Sequence, residues 1–240
     1  GLHHYGPQHH HLEQLSSATE SLVLPDNSFL VSLSSIVWRE AWKYGERAWR
    51  YTQLDCGHAL RSLEVSASIL GWKIEIINST DSELLNLIGL AQLDRYVPEE
   101  RELTDMLLLV SLDDGEESSA NTIDIKTIRA SMEDKYEGNA NQLSVSWHKW
   151  DILEQIEDAS LSDDLEQKAF IKDQFESNPY RETSYLSKDI VLQRRSAQVM
   201  NASNSTISKK EFETIIGSVK SNSSAVHLVI FVHDVIDLDA

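Results

Sequence analysis

Apolar residues recur along the first half of the chain in two periods. Over residues 54–72, Leu54, Leu60, Leu63, Val65, Ala67, Ile69 and Leu70 fall at helical spacing together with His58. This pattern predicts a helix with a broad apolar face that stops at Gly71. A partly alternating run over 73–77 predicts a short strand. The stretch Thr80-Asp-Ser-Glu then places a hydroxyl at an N-cap and a carboxylate three residues later. It predicts a second helix, carrying Leu84, Leu85, Leu87 and Ile88 and ending near Gly89. The apolar run over 106–112 is strand-sized. Further on, the segment 113–121 reads as a loop, and helices are expected over 147–156 and 161–175. Another helix begins in 188–196. A capping box, Ser208-Lys-Lys-Glu, opens one that runs to Gly217, and 225–234 reads as a strand. The balance is a helix-rich α+β fold with a few short strands.

Charge divides the chain into three parts. The net charge is −18. Residues 113–183 hold 18 Asp or Glu against 7 Lys or Arg, or −11 of that total. This stretch is expected to be an acidic linker looping outside one body built from residues 1–112 and 184–240. Such a charge disfavours a nucleic-acid partner, whose affinity comes mostly from Lys and Arg, and equally an anionic membrane surface. With 240 residues, 41% hydrophobic and 25% charged, the composition is globular. No apolar run reaches bilayer length and the first residues lack a signal layout, so a soluble, cytoplasmic protein is expected. A single cysteine, Cys56, excludes an internal disulfide and any multi-cysteine zinc site. On a buried helix it is a small hydrophobe. The cluster His3, His4, His9, His10 and His11 has no acidic or thiol ligand placed to complete a coordination sphere, and no metal is assigned.

The stretch with most chemical content is WREAWKYGERAWRYTQLDCGH, residues 38–58. Arg39, Lys43, Arg47 and Arg50 stand among Trp38, Trp42, Tyr44, Trp49 and Tyr51 in an otherwise acidic chain. Rings and guanidinium groups together suit a planar anionic ligand. The alternative is an amphipathic helix entry whose arginines pair with the chain's carboxylates, and spacing alone favours it. Asp55 and His58, three apart, form a structural pair on one helix face. No G-x-G-x-x-G turn follows a strand, so a Rossmann pyrophosphate site is not expected.

Residues 42–72, WKYGERAWRYTQLDCGHALRSLEVSASILGW, resemble the signature of SagB-type dehydrogenases of the nitroreductase-like family: Lys-Tyr-Gly-x-Arg, then Arg-Tyr, Asp-x-Gly-His and a helix ending in Leu-Gly. GLHHYGPQHHHLEQL, TDSELLNLIGL and MLLLVSL are similar to that family's flanking segments. IVLQRRSAQVMNASNSTISKKEFETII resembles the head of a second nitroreductase domain, and AVHLVIFVHDVIDLDA a later strand of it. The family's Pro-Ser-x-Gly loop is not visible, and KSNSSAVH stands in its place.

The resemblance implies a nitroreductase-like fold, with residues 1–112 the C-terminal part of one copy, 113–183 a linker and 184–240 the N-terminal part of a second. It implies FMN as cofactor, a dimer or intramolecular pseudo-dimer, and oxidation of a heterocyclised peptide or similar small substrate. Lys43 and Tyr44 are the implied catalytic pair, and Arg194, Arg195 and Ser196 the implied flavin-phosphate site. Two other functions stay open: a flavin-free scaffold half of a tandem protein, and a reductase of nitroaromatics or quinones.

Overall fold

A computed structural model describes residues 1–112, 120–163, 185–199, 206–218 and 229. The chain divides into two compact units, Gly1–Ala169 and Phe170–Ala240. Among the described residues both strands and helices are present, and the fold class is α+β.

The first unit opens with a hairpin, β1 (Leu2–Gly6) against β2 (His11–Ser16). Its sheet consists of β3 (Ser28–Ser35), β4 (Lys73–Ile77) and β5 (Leu103–Ser111), antiparallel in the order β3-β5-β4. The central position of β5 explains its unbroken Leu107-Leu108-Leu109-Val110 run. Successive side chains point to opposite faces, and all four are buried, so neither face can be polar. Leu107 and Leu109 join Ile77, Leu84, Leu87, Ile125, Ile128 and Met132 in the principal core.

Between β3 and β4 run α1 (Val37–Tyr44), a 3₁₀ turn (Gly45–Arg47) and the long α2 (Ala48–Leu70). The helix expected from residue 54 thus begins six residues earlier, at Ala48. It stops where expected: Gly71 takes a left-handed φ of 74°, and its N–H bonds back to the helix. The expected broad apolar face is narrower. Only Ala48, Thr52, Leu60 and Ala67 are buried, while Leu54, Val65 and Leu70 are exposed. Asp55 and His58 do face each other, 3.8 Å apart on the surface. The capping box at Thr80 is formed in both directions and starts α3 (Asp81–Leu87).

The acidic segment does not loop outside this unit over residues 120–163. There α4 (Ile125–Ala130), capped by Asp124, inserts Ile125 and Ile128 into the core beside Leu84 and Leu87. Tyr136 donates to the carbonyls of Asn86 and Leu87 at 2.6 and 2.9 Å and closes the end of α3. The following α5 (Asp151–Ser160) buries Leu153 against Val37, Ala41 and Ala48. It starts at Asp151 and not at 147, with Trp150 at its N-cap position. The charge count hid the apolar residues that fix the segment to the core. Residues 161–163 are not helical, and the rest of the helix expected over 161–175 lies outside the described residues, as does 113–119 of the expected loop.

In the second unit the described elements are α6 (Tyr185–Gln193) and α7 (Lys209–Ser218). The Ser208–Glu211 capping box that opens α7 is present, with Ser208 N–H donating to Glu211 at 2.7 Å. Of the strand expected over 225–234 only Val229 is among the described residues, and it is exposed. No described helix is long and apolar enough to cross a membrane.

Candidate functional site

The basic, aromatic stretch divides into an inward and an outward half. Helix α1 follows β3 directly and turns Val37, Trp38 and Ala41 into the core. Arg39 is consumed structurally: it donates from Nε and Nη2 to Glu100 at 3.0 and 2.8 Å, and from Nη2 to the Asn141 carbonyl at 2.6 Å. Trp49 packs against the core of Val37, Ala48 and Leu153.

The outward half lies at the turn after α1. Gly45 ends the helix with φ +58°, and a Cβ there would meet the Trp150 ring at 3.2 Å, so the turn requires glycine twice over. Lys43 is exposed, with Nζ 5.2 Å from the Tyr44 ring centroid. Tyr44 in turn lies against Tyr51, their centroids 4.2 Å apart and their planes inclined by 32°. Arg47 and Arg50 are exposed nearby in sequence. Their expected pairing with carboxylates is not seen: among the described ion pairs neither takes part, nor does Lys43. The turn therefore brings together Lys43, Tyr44 and Tyr51, with Arg47 and Arg50 close by in sequence and in no described ion pair.

Arg194, Arg195 and Ser196 belong to the second unit, just past the end of α6, and all three are exposed. Arg195 Nη1 donates to the carbonyls of Leu192, Gln193 and Arg194 at 3.2, 3.4 and 2.8 Å. It thus caps its own helix at the end where the backbone dipole is negative.

Three carboxyl-bearing positions escaped the sequence reading. Glu100 is almost fully buried and accepts, besides Arg39, the backbone N–H groups of Leu143 and Ser144 and the indole of Trp147. Burial pushes its carboxyl up, but these donors outweigh burial and hold it below the usual range. Asp105 lies where the β3–β5 register slips, since Leu33 pairs with Met106 and Ser34 with Thr104. The bulge aims it at Ser35, Gln53 and Cys56. Burial raises the Asp105 carboxyl and takes the Cys56 thiol to about 11, so Cys56 is a protonated donor in a structural cluster. On α5, burial pushes buried Glu157 up to about 7.

At the hairpin, the register sets Glu13 opposite His4 and within reach of His11. It accepts from both at 2.9 Å, so an acidic residue does stand among these histidines. Among the described residues no group of three or more His, Cys, Asp or Glu is placed to hold a metal ion. The bulge at Asp105 and the spacing of Glu13 depend on strand register, which no local pattern announces.

No protein-family model, curated protein or solved structure matches the chain.

Proposed function

We propose that this chain is part of an FMN-dependent oxidoreductase with a nitroreductase-like fold, in which Lys43 and Tyr44 line the reacting centre. The observation that carries the reading is the turn after α1, where an unpaired Lys43 stands over Tyr44 and the Tyr44–Tyr51 pair. It coincides with the Lys-Tyr-Gly-x-Arg motif on which the SagB-type resemblance rests. The donor set fits a flat, phosphate-bearing group in its chemistry. Two tyrosine rings offer stacking surface, and Lys43, Arg47 and Arg50 offer positive charge that no described carboxylate neutralises.

FMN, when bound, supplies the hydride acceptor. The chain's own task is the proton. Converting a thiazoline or oxazoline ring to its aromatic form removes a hydride from one ring carbon and a proton from its neighbour. Lys43 is the residue whose Nζ receives that proton. The Tyr44 ring restricts where the Lys43 ammonium rests afterwards, through the cation–π contact already present. Substrate is a heterocyclised peptide or a similar small molecule. The resemblance implies a paired arrangement, a dimer or an intramolecular pseudo-dimer.

One observation favours a second reading, a flavin-free scaffold half of a tandem protein. Arg195, the implied phosphate ligand, spends its described hydrogen bonds on the end of α6. Flavin content separates the two, and substituting Lys43 tests its role in the first. Lys43→Ala in the flavin-loaded protein should keep the flavin and lose about 10²- to 10⁴-fold in turnover of a thiazoline peptide. Lys43→Arg should restore little, because a guanidinium stays protonated. Near-normal turnover in Lys43→Ala would remove Lys43 from the chemistry.

A further inference from the structure

A cavity of about 200 Å³ opens between α1 and the segment leading into α5, lined by Trp38, Ala41, Trp42, His148 and Trp150. Four of these five residues are aromatic, and their planes are crossed. Trp38 and Trp42 meet at 5.4 Å with planes 87° apart, and His148 and Trp150 at 4.6 Å and 75°. The two walls are tied together, since the Trp38 indole N–H donates to the His148 carbonyl at 2.9 Å. Ala41 forms a buried floor, while Trp42 remains 57% exposed at the mouth.

The shape selects the guest. A flat ligand needs rings lying parallel, a stacking distance apart, whereas crossed rings surround a compact body. The lining side chains include no carboxylate, amide or hydroxyl, and their hydrogen-bonding groups are the ring nitrogens of His148 and the indoles. The indoles present π surface, whose negative face attracts cations. Two cations adjacent in sequence are occupied, Arg39 by Glu100 at 2.8 Å and Lys149 by Asp151 and Glu154 at 3.3 and 3.2 Å. The volume is also suitable, since an apolar cavity of about 150 Å³ already admits a benzene-sized guest. We propose that Trp38, Trp42, His148 and Trp150 form an aromatic cage for a methylated ammonium group.

Choline and Nε-trimethyllysine present that group from two sources, a free small molecule and a modified protein side chain. Each is titrated into the 240-residue chain while tryptophan fluorescence is followed, beside dimethylbutanol, the neutral carbon isostere of choline. The cage predicts saturable quenching by at least one of the cations, and the one that binds more tightly identifies the source. The neutral isostere should bind at least about tenfold more weakly, the equivalent of about 1.4 kcal/mol. Trp42→Ala, at an exposed position, should weaken the cation by a similar factor with an unchanged circular dichroism spectrum, and Trp42→Phe should retain most of the affinity. Equal binding of dimethylbutanol would reduce the site to an apolar cleft. No saturable response to either cation, or full affinity in Trp42→Ala, would overturn the proposal. No flavin enters the assay, so its outcome is separate from that of the oxidoreductase reading.

Discussion

Glu100 organises the described site from behind, and replacing it with glutamine tests that directly. The carboxylate is 2% exposed and gathers Arg39, the N–H groups of Leu143 and Ser144, and the Trp147 indole. Residues 141–147 are thereby attached to α1, and they carry the chain into His148 and Trp150. Glutamine keeps the shape and one acceptor oxygen, but its amide N–H₂ meets the backbone N–H groups donor to donor. It also leaves Arg39 without its counter-charge. Removing one partner of a buried ion pair costs about 3–5 kcal/mol. Arg39 keeps some contact with water, its side chain being 25% exposed, so the lower end, about 3 kcal/mol, is expected. Against a total of about 5–15 kcal/mol that is a large share of the stability. Urea unfolding followed by tryptophan fluorescence should show a lower midpoint with an unchanged slope. Because the folded carboxyl lies below its usual range, its contribution is present above the unfolded value and is lost as pH falls. The gap between the two proteins should therefore narrow in acid. A loss below about 1 kcal/mol, with no narrowing, would show that the Glu100 contacts do not hold the loop.

Glu157 should give the opposite pH dependence. Its folded carboxyl is pushed to about 7 from an ordinary 4.5, so between those values the folded state holds a proton that the unfolded state has released. Stability should fall as pH rises through that window and stay level above it. The full shift bounds the loss at about 3 kcal/mol, and solvent screening lowers the expected value to about 1–2 kcal/mol. Glu157→Gln should flatten the profile, and an unchanged slope in the variant would assign the pH dependence to other groups. At the start of α3, Thr80→Ala removes a formed capping box and should cost about 1 kcal/mol in thermal or urea unfolding.

Local chemistry was the legible part of this fold. Thr80 with Glu83, Ser208 with Glu211 and the left-handed Gly71 were readable because a cap is decided within a few residues. The strand Lys73–Ile77 was readable from its alternation, and β5 from its apolar run, though its polar start at Leu103–Asp105 was not. Strand β3 escaped notice although SFLVSLSS alternates, since its serines dilute the apolar signal. The hairpin escaped because its strands are mostly exposed and its facing pairs are mainly polar, as His3 with Gln14 and His4 with Glu13. The acidic segment misled most, because net charge is an average and a few well-placed residues, among them Ile125, Ile128, Met132 and Leu153, attach it to the core. Of the candidate site, the turn bearing Lys43 and Tyr44 was legible as a motif. The partners that shape its surroundings were not: Glu100 reaches Leu143 over 43 residues, and Trp38 reaches His148 over 110.

The central claim is that this chain comes from a flavoprotein, and the most direct measurement is the identity of what it binds. The protein purified in its native length is denatured, and the released small molecules are separated and identified by absorbance and mass. The account predicts FMN, in an amount approaching one per site, accompanied by yellow colour in the native protein. FAD alone would contradict the assignment of the cofactor. No flavin in the purified protein, together with no uptake of added FMN, would contradict the oxidoreductase reading itself and leave the scaffold in its place.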